Sequence, residues 1–209
     1  MEKNIFSGKI KLNPKLIEEI KNAGGKLTLD IRNIMEMDKQ LNDLLTIRGR
    51  VVEKSIEIEE QLNFLTSSLL FKNQINKLGE AKFFEDFIMN TTHLAFSSKL
   101  KIFRSLYKIC SFLKEREEIS KSLATQIQKI IEIRDNFAHG DICFKDVKPP
   151  LTPYLFYYRE NEPKEQQLDN NYFDSLNLLY KKTFEKLDIL RSHINKSFEE
   201  GKELKWDII

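Results

Sequence analysis

The sequence predicts an all-α fold, an antiparallel helical bundle with one small β-hairpin or loop excursion. The composition suits a helical chain, because 41% of the 209 residues are hydrophobic, 32% are charged, and only 7 are Gly and 5 Pro. Apolar residues recur at three- and four-residue steps through most of the chain, which is typical of amphipathic helices. A proline-rich stretch at residues 141–158 interrupts this pattern.

The N-terminal part of the chain is predicted to be an appendage. Residues 1–32 contain one short helical pattern that begins at Asn13, followed by Pro14, and ends at Gly24. Residues 33–209 are predicted to form the main helical domain.

The main domain is predicted to consist of long helices. Gly49 is the expected place for a break or kink in the first of them. Two further helical patterns occupy residues 83–110, and the next helix is expected at about 120–140. The proline-rich stretch 141–158 is then predicted to form a loop or small hairpin, and a C-terminal helix is expected at about 171–200.

Charge, cysteine content and hydropathy exclude several classes of protein. Lys and Arg total 34 against 32 Asp and Glu, so any basic surface must be local. Cys110 and Cys143 lack the spacing of a zinc site, and we expect free thiols, no metal and no cofactor. No apolar run approaches the roughly 20 residues that cross a bilayer, and no signal peptide is evident. The predicted compartment is the cytoplasm, without membrane association.

The stretch RDNFAHG, at residues 134–140, places charged side chains on an apolar helix. At about 100° per residue, Arg134 falls within the apolar arc of this helix, while Asp135 and His139 lie one turn apart on its polar flank, with Asn136 further round. A guanidinium among apolar side chains needs an anionic partner. The residues predicted to form the arc are Ile127, Ile130, Ile131, Ile133, Phe137 and Ala138.

Two structural explanations for these charges stay open. Arg134 could form an ion pair with an acid of the first long helix, such as Glu57 or Glu60. His139 and Asp135 could form a pair at the helix end, where the C-terminal dipole favours a cation.

The residues Arg134-Asp-Asn-Phe-Ala-His139 resemble the Arg-x4-His signature of the HEPN superfamily. The preceding order of segments, FFEDFIMNTTHLAFSSKLKIFRSLYK and then IIEIRDNFAHG, is similar to HEPN-related families, including the mannitol-repressor-like group. The resemblance covers roughly residues 48–140.

This resemblance implies a homodimer whose two copies of Arg and His face one cleft, often a metal-independent endoribonuclease. Arg134 and His139 diverge by about 140° on the helix, so a second copy would help to complete a site. In such an enzyme the RNA 2′-hydroxyl attacks the adjacent phosphorus and leaves a 2′,3′-cyclic phosphate. His139 would act as general acid or base and Arg134 would hold the phosphate, while Asp135 would orient His139 and Asn136 would add a polar contact.

Two positions depart from the family pattern. Asp135 stands where Asn is common, which adds a negative charge beside a phosphate site. Asp141 stands where a subset of HEPN toxins carries a Tyr that a nucleotidyltransferase antitoxin modifies, so another partner, or none, is expected.

Two other stretches are candidates for RNA contact. Lys101, Arg104 and Lys108 form a basic stripe that could bind phosphates, or could be an ordinary solvated helix face. The aromatic run YLFYY could stack on bases, although packing of a small sheet is the more common role of such a run.

The sequence therefore predicts a metal-independent RNA-cleaving homodimer of HEPN type, set in a toxin–antitoxin or phage-defence system with a protein antitoxin or regulatory partner. The alternative is a catalytically inactive HEPN-like interaction or regulatory module. A plain helical scaffold is the third interpretation.

Overall fold

The computed structural model of the chain describes residues 31–71, 78–90, 94–145 and 151–206. This part of the chain is mostly helical and contains a small three-stranded antiparallel sheet, which confirms the helical character predicted from the sequence. The short helix predicted to begin at Asn13 lies outside the described residues.

The helices follow the predicted order. The motif helix and the C-terminal helix begin and end close to the expected ranges 120–140 and 171–200. The helices are α1 (Ile31–Phe71), α2 (Leu78–Phe84) with a π-helical turn after it (Glu85–Met89), α3 (Phe96–Ile109), α4 (Ser111–Lys114), α5 (Glu117–His139) and α6 (Asn170–Glu199).

Helix α1 continues through Gly49, where the sequence predicted a break or kink. Glycine in a helix interior costs roughly 0.5–1 kcal/mol relative to alanine. The apolar side chains of Leu44 and Val51 on either side of it are buried. Their burial stabilises the helix by more than the glycine costs, so α1 is not interrupted.

The predicted hairpin or loop is a sheet of three strands, β1 (Asp141–Phe144), β2 (Pro153–Arg159) and β3 (Glu162–Gln167). The strands are antiparallel in the order β1-β2-β3. Glu160 and Asn161 connect β2 to β3 with φ angles of 54° and 64°, the left-handed conformation at both central residues that a type I′ turn requires. The excursion therefore extends beyond the predicted boundary at residue 158.

Strand β3 has a sequence, EPKEQQ, without the apolar alternation of a half-buried strand. It lies at the edge of the sheet, where side chains stay exposed and a proline that cannot donate a hydrogen bond is tolerated. Pro163 pairs with Tyr158 in this edge position. Pairing with β2, and not its own apolar pattern, makes this segment a strand.

The described residues form two compact units. The first consists of those up to Val52 and of Arg134–Ser175, and it contains the sheet and the predicted motif. Its core side chains include Leu44, Phe137, Ile142, Phe144, Leu155 and Leu168. At the start of α6, Asp169 accepts a hydrogen bond from the backbone N–H of Tyr172 at 2.8 Å, as a helix N-cap does.

The second unit consists of the described residues within Glu53–Ile133 and Leu176–Ile209. Aromatic and aliphatic side chains fill its interior. The rings of Phe112 and Phe198 meet edge to face with their centroids 5.1 Å apart. Its buried side chains include Ile58, Leu62, Leu65, Phe103, Leu123, Ile127, Ile130, Leu187, Leu190 and Ile194.

Among the described helices, none combines the length and the apolar character needed to span a membrane.

Candidate functional site

The four residues predicted to be catalytic lie in the last two turns of α5, in the first unit. Asp135 and His139 are exposed, and Arg134 and Asn136 are partly exposed. His139 is the last residue of the helix. The arrangement gives an imidazole open to solvent, just over one turn beyond the partly exposed Arg134.

The apolar face of α5 differs from the predicted arc at two positions, since Ile133 is only partly buried and Ala138 is exposed. Ile127, Ile130 and Phe137 are buried as expected, and the ring of Phe137 approaches that of Tyr172, with centroids 6.3 Å apart. Ala138, which the helical wheel placed within the arc, is exposed. The buried face is therefore narrower in the last turn, where Phe137 is buried and His139 is exposed.

A second guanidinium, that of Arg48 on α1, contacts the end of the motif helix. Its Nη2 donates a hydrogen bond of 2.6 Å to the backbone carbonyl of Ala138, the residue before His139. A cation at this position satisfies a carbonyl that the helix leaves unpaired and interacts favourably with the helix dipole. This contact of Arg48 was not predicted, because Arg48 lies 90 residues before its acceptor.

Gly140 ends α5 through close packing, and its φ is not in the left-handed region. Its N–H donates a hydrogen bond of 2.8 Å to the carbonyl of Asn136. A Cβ at this position would lie 2.5 Å from that same carbonyl oxygen and 2.9 Å from the carbonyl oxygen of Phe156 on β2. The glycine therefore lets the sheet approach the end of the motif helix directly.

Gly140→Ala is expected to lower the free energy of unfolding by about 1–3 kcal/mol, because two backbone oxygens must move to admit the methyl group. Urea denaturation measures the change. The matched control is Gly49→Ala, since a Cβ at Gly49 meets nothing within 4 Å and alanine favours the helix by roughly 0.5–1 kcal/mol. Equal urea midpoints for wild type and Gly140→Ala would contradict the close approach of the two carbonyl oxygens to Gly140.

Asp135 and His139 lie one turn apart at the end of α5, and both are exposed. No hydrogen bond or ion pair joins the two side chains in the part of the chain that the structure describes. The predicted helix-end pair is therefore absent from this conformation, and so is a direct orienting contact from the carboxylate to the imidazole.

One of the two acids considered as a partner for Arg134 has a partner of its own. Glu57 accepts a hydrogen bond of 2.7 Å from Lys54 on the same helix. Both Glu57 and Glu60 line an open cavity of about 380 Å³ in the second unit, together with Gln61, Phe64, Asn90 and Arg191. Two carboxylates make this cavity unsuited to a phosphate.

The predicted basic stripe lies on α3, in the second unit. Lys101 and Lys108 are exposed and Arg104 is partly exposed, while Leu100 and Phe103 on the other side of the helix are buried. This is the pattern of an amphipathic surface helix.

The two cysteines are free and buried, in agreement with the sequence. Burial is the largest cause of the raised pKa of each thiol. Within the described ranges, no group of three or more His, Cys, Asp or Glu side chains could hold a metal ion.

No protein-family model, curated protein or solved structure matches this chain. Its function must be inferred from its own residues and geometry.

Proposed function

We propose that this chain is a metal-independent endoribonuclease of HEPN type, with an antiparallel helical bundle that acts as a homodimer. The observation that carries the proposal is the exposed imidazole of His139 at the end of α5, one turn beyond Arg134 and one residue beyond the carbonyl bound by Arg48. A side chain that can accept or donate a proton and a planar cation are what cleavage through a 2′-hydroxyl requires.

Arg134 holds the scissile phosphate through two parallel N–H···O hydrogen bonds and stabilises the charge that builds on its oxygens in the transition state. Arg48 adds positive charge beside the same turn and fixes the backbone that carries His139. Asn136, partly exposed one turn before Gly140, supplies a polar contact to the ribose or phosphate.

In the reaction, His139 accepts the proton of the 2′-hydroxyl while the 2′-oxygen forms a bond to phosphorus. The bond from phosphorus to the 5′-oxygen breaks, and the departing 5′-oxygen takes a proton from an acid. In the homodimer the second copy of the motif supplies that acid. The products are a 2′,3′-cyclic phosphate and a 5′-hydroxyl.

The test compares cleavage of two RNAs. One is all-ribose, and in the other the ribose on the 5′ side of the cleaved bond carries hydrogen in place of the 2′-hydroxyl. Wild-type protein cleaves the all-ribose RNA at this bond and leaves the modified RNA intact there, because the nucleophile is missing. Cleavage of both at equal rates would overturn the mechanism.

Asp135 favours a second candidate function, a catalytically inactive HEPN-like interaction or regulatory module. Its exposed carboxylate lies directly after Arg134 and has no hydrogen bond to His139, so it repels a phosphate without orienting the imidazole. In that case the motif binds a protein partner or supports dimer contacts.

The cellular setting that we propose follows from the resemblance. It is a cytoplasmic toxin–antitoxin or phage-defence system with a protein antitoxin or regulatory partner. A nucleotidyltransferase that modifies Tyr is not the expected partner, because Asp141 occupies the position of that Tyr.

A further inference from the structure

The small sheet has one face toward the core and one face that carries aromatic side chains. Ile142 pairs with Leu155, and both are buried, as side chains on the core face are. Residues two apart on a strand share a face, so Tyr154, Phe156 and Tyr158 lie together on the opposite face. We call this set the aromatic row.

The end of the aromatic row is unusually open. Tyr158 is 71% exposed, more than any other large apolar side chain that the structure describes. Phe156 and Tyr158 meet edge to face, with ring centroids 5.6 Å apart and planes at 86°. Such a pair holds its rings in place, so Tyr158 is both exposed and positioned. Burial on folding does not account for a ring placed in this way.

The middle of the aromatic row lies beside the end of the motif helix. Phe156 pairs with Asp141, two residues after His139. Its carbonyl oxygen lies 2.9 Å from the position of a Cβ on Gly140, so the backbone of β2 touches the residue next to His139. A nucleotide chain with one phosphate at His139 therefore meets the aromatic row within a few residues of the motif.

The charges on this face do not favour a phosphate backbone. Burial is the largest cause of the raised pKa of the Cys143 thiol. The negative charges of Glu165 on β3 and of Asp141 lie close enough to raise it further. Lys145 forms an ion pair with Glu165, and its ammonium lies 4.1 Å from the centroid of the Tyr154 ring. The charge of Lys145 is thus balanced by Glu165. Attraction of a nucleic acid to this face must therefore come from the ring surfaces.

We propose that Tyr158, supported by Phe156, stacks on an unpaired base of the RNA whose phosphate is held at Arg134 and His139, so that the substrate is single-stranded. This inference rests on the proposed function. Aromatic stacking selects unpaired bases and tolerates any base type, because every base has a π-face, whereas a base within a duplex is not available to a protein ring.

The experiment measures RNA affinity in protein that carries His139→Ala, so that cleavage does not interfere. The probe is a fluorescein-labelled single-stranded oligouridine, followed by fluorescence anisotropy at one fixed salt concentration. Adding Tyr158→Ala is expected to weaken binding by roughly 5- to 150-fold, the range for loss of one base–aromatic stack. Tyr158→Trp keeps a stacking ring and is expected to bind at least as tightly as the parent.

The matched control is Phe87→Ala, which removes a ring that is 63% exposed in the second unit and is expected to leave affinity unchanged. A second probe with one abasic nucleotide, moved along the strand, locates the stacked base. At that position the loss of the base weakens binding to protein with Tyr158 and not to protein with Tyr158→Ala.

Several results would overturn the inference. These are equal affinity with and without the Tyr158 ring, no binding of single-stranded RNA, or tighter binding of a duplex of the same length. A change in oligomeric mass on Tyr158→Ala with RNA affinity unchanged would also do so and would assign the aromatic row to a contact between copies of the chain. If wild-type protein does not cleave RNA but binding depends on Tyr158, the proposed function fails and the stacking site stands.

Discussion

Replacing His139 by Ala is expected to lower the rate of RNA cleavage by about 10²–10⁴-fold, the usual contribution of a general acid or base. The protein should stay folded, because His139 is exposed and ends its helix, and its side chain makes no hydrogen bond within the described residues. Single-turnover cleavage of end-labelled RNA measures the rate. Circular dichroism and light scattering check that the fold and the oligomeric mass of the variant equal those of the wild type.

The matched control for this prediction is His193→Gln. His193 lies on α6 in the second unit, and its Nε2 is 3.3 Å from the carboxylate of Glu115. Its replacement removes an imidazole without touching the motif and should leave the cleavage rate within a few-fold of wild type. An equal loss of cleavage rate in both variants would mean that removing a histidine acts through protein stability. An unchanged cleavage rate in His139→Ala would exclude His139 from the chemistry.

Replacing Lys99 by Met is expected to destabilise the protein by about 3–5 kcal/mol, the usual cost of removing one member of a buried ion pair. The Lys99 ammonium contacts Glu59, and their side chains are only 4% and 16% exposed. The pair joins α3 to α1 within the second unit. Urea denaturation followed by circular dichroism measures the free energy of unfolding.

Two further variants separate the buried charge from loss of packing. Lys99→Met combined with Glu59→Leu removes both charges and should recover most of the stability, since apolar replacement of a whole buried pair is often neutral. Lys121→Met breaks an ion pair with Glu117 in which both side chains are about half exposed, and it should change stability little. A similar decrease in the free energy of unfolding for Lys99→Met and Lys121→Met would contradict the claim that burial makes the Lys99–Glu59 pair important for stability.

Long periodic segments were predictable because their burial pattern is local. The apolar steps of α5 and α6 place Ile127, Ile130, Leu187 and Leu190 in the core, and both helices lie close to the expected ranges. Strand β3 was not predictable, because its structure depends on pairing with β2 and not on its own residues.

The candidate site was predictable in part. The position of His139 at the helix end followed from Gly140 and from the periodicity of α5. The reason for a glycine at position 140 could not be predicted. It is the close approach of the Phe156 carbonyl, which belongs to a segment distant in sequence. The contact of Arg48 with Ala138 is likewise long-range, and a helical wheel contains no information about it.

Cleavage of end-labelled, single-stranded RNA by the wild-type protein with EDTA present tests the central claim most directly. The proposed mechanism predicts that RNA is cleaved at the same rate with EDTA as without it. The products should end in a 2′,3′-cyclic phosphate and a 5′-hydroxyl. Absence of cleavage across RNAs of varied sequence, or products with a 3′-hydroxyl and a 5′-phosphate, would contradict it and would favour the interaction module.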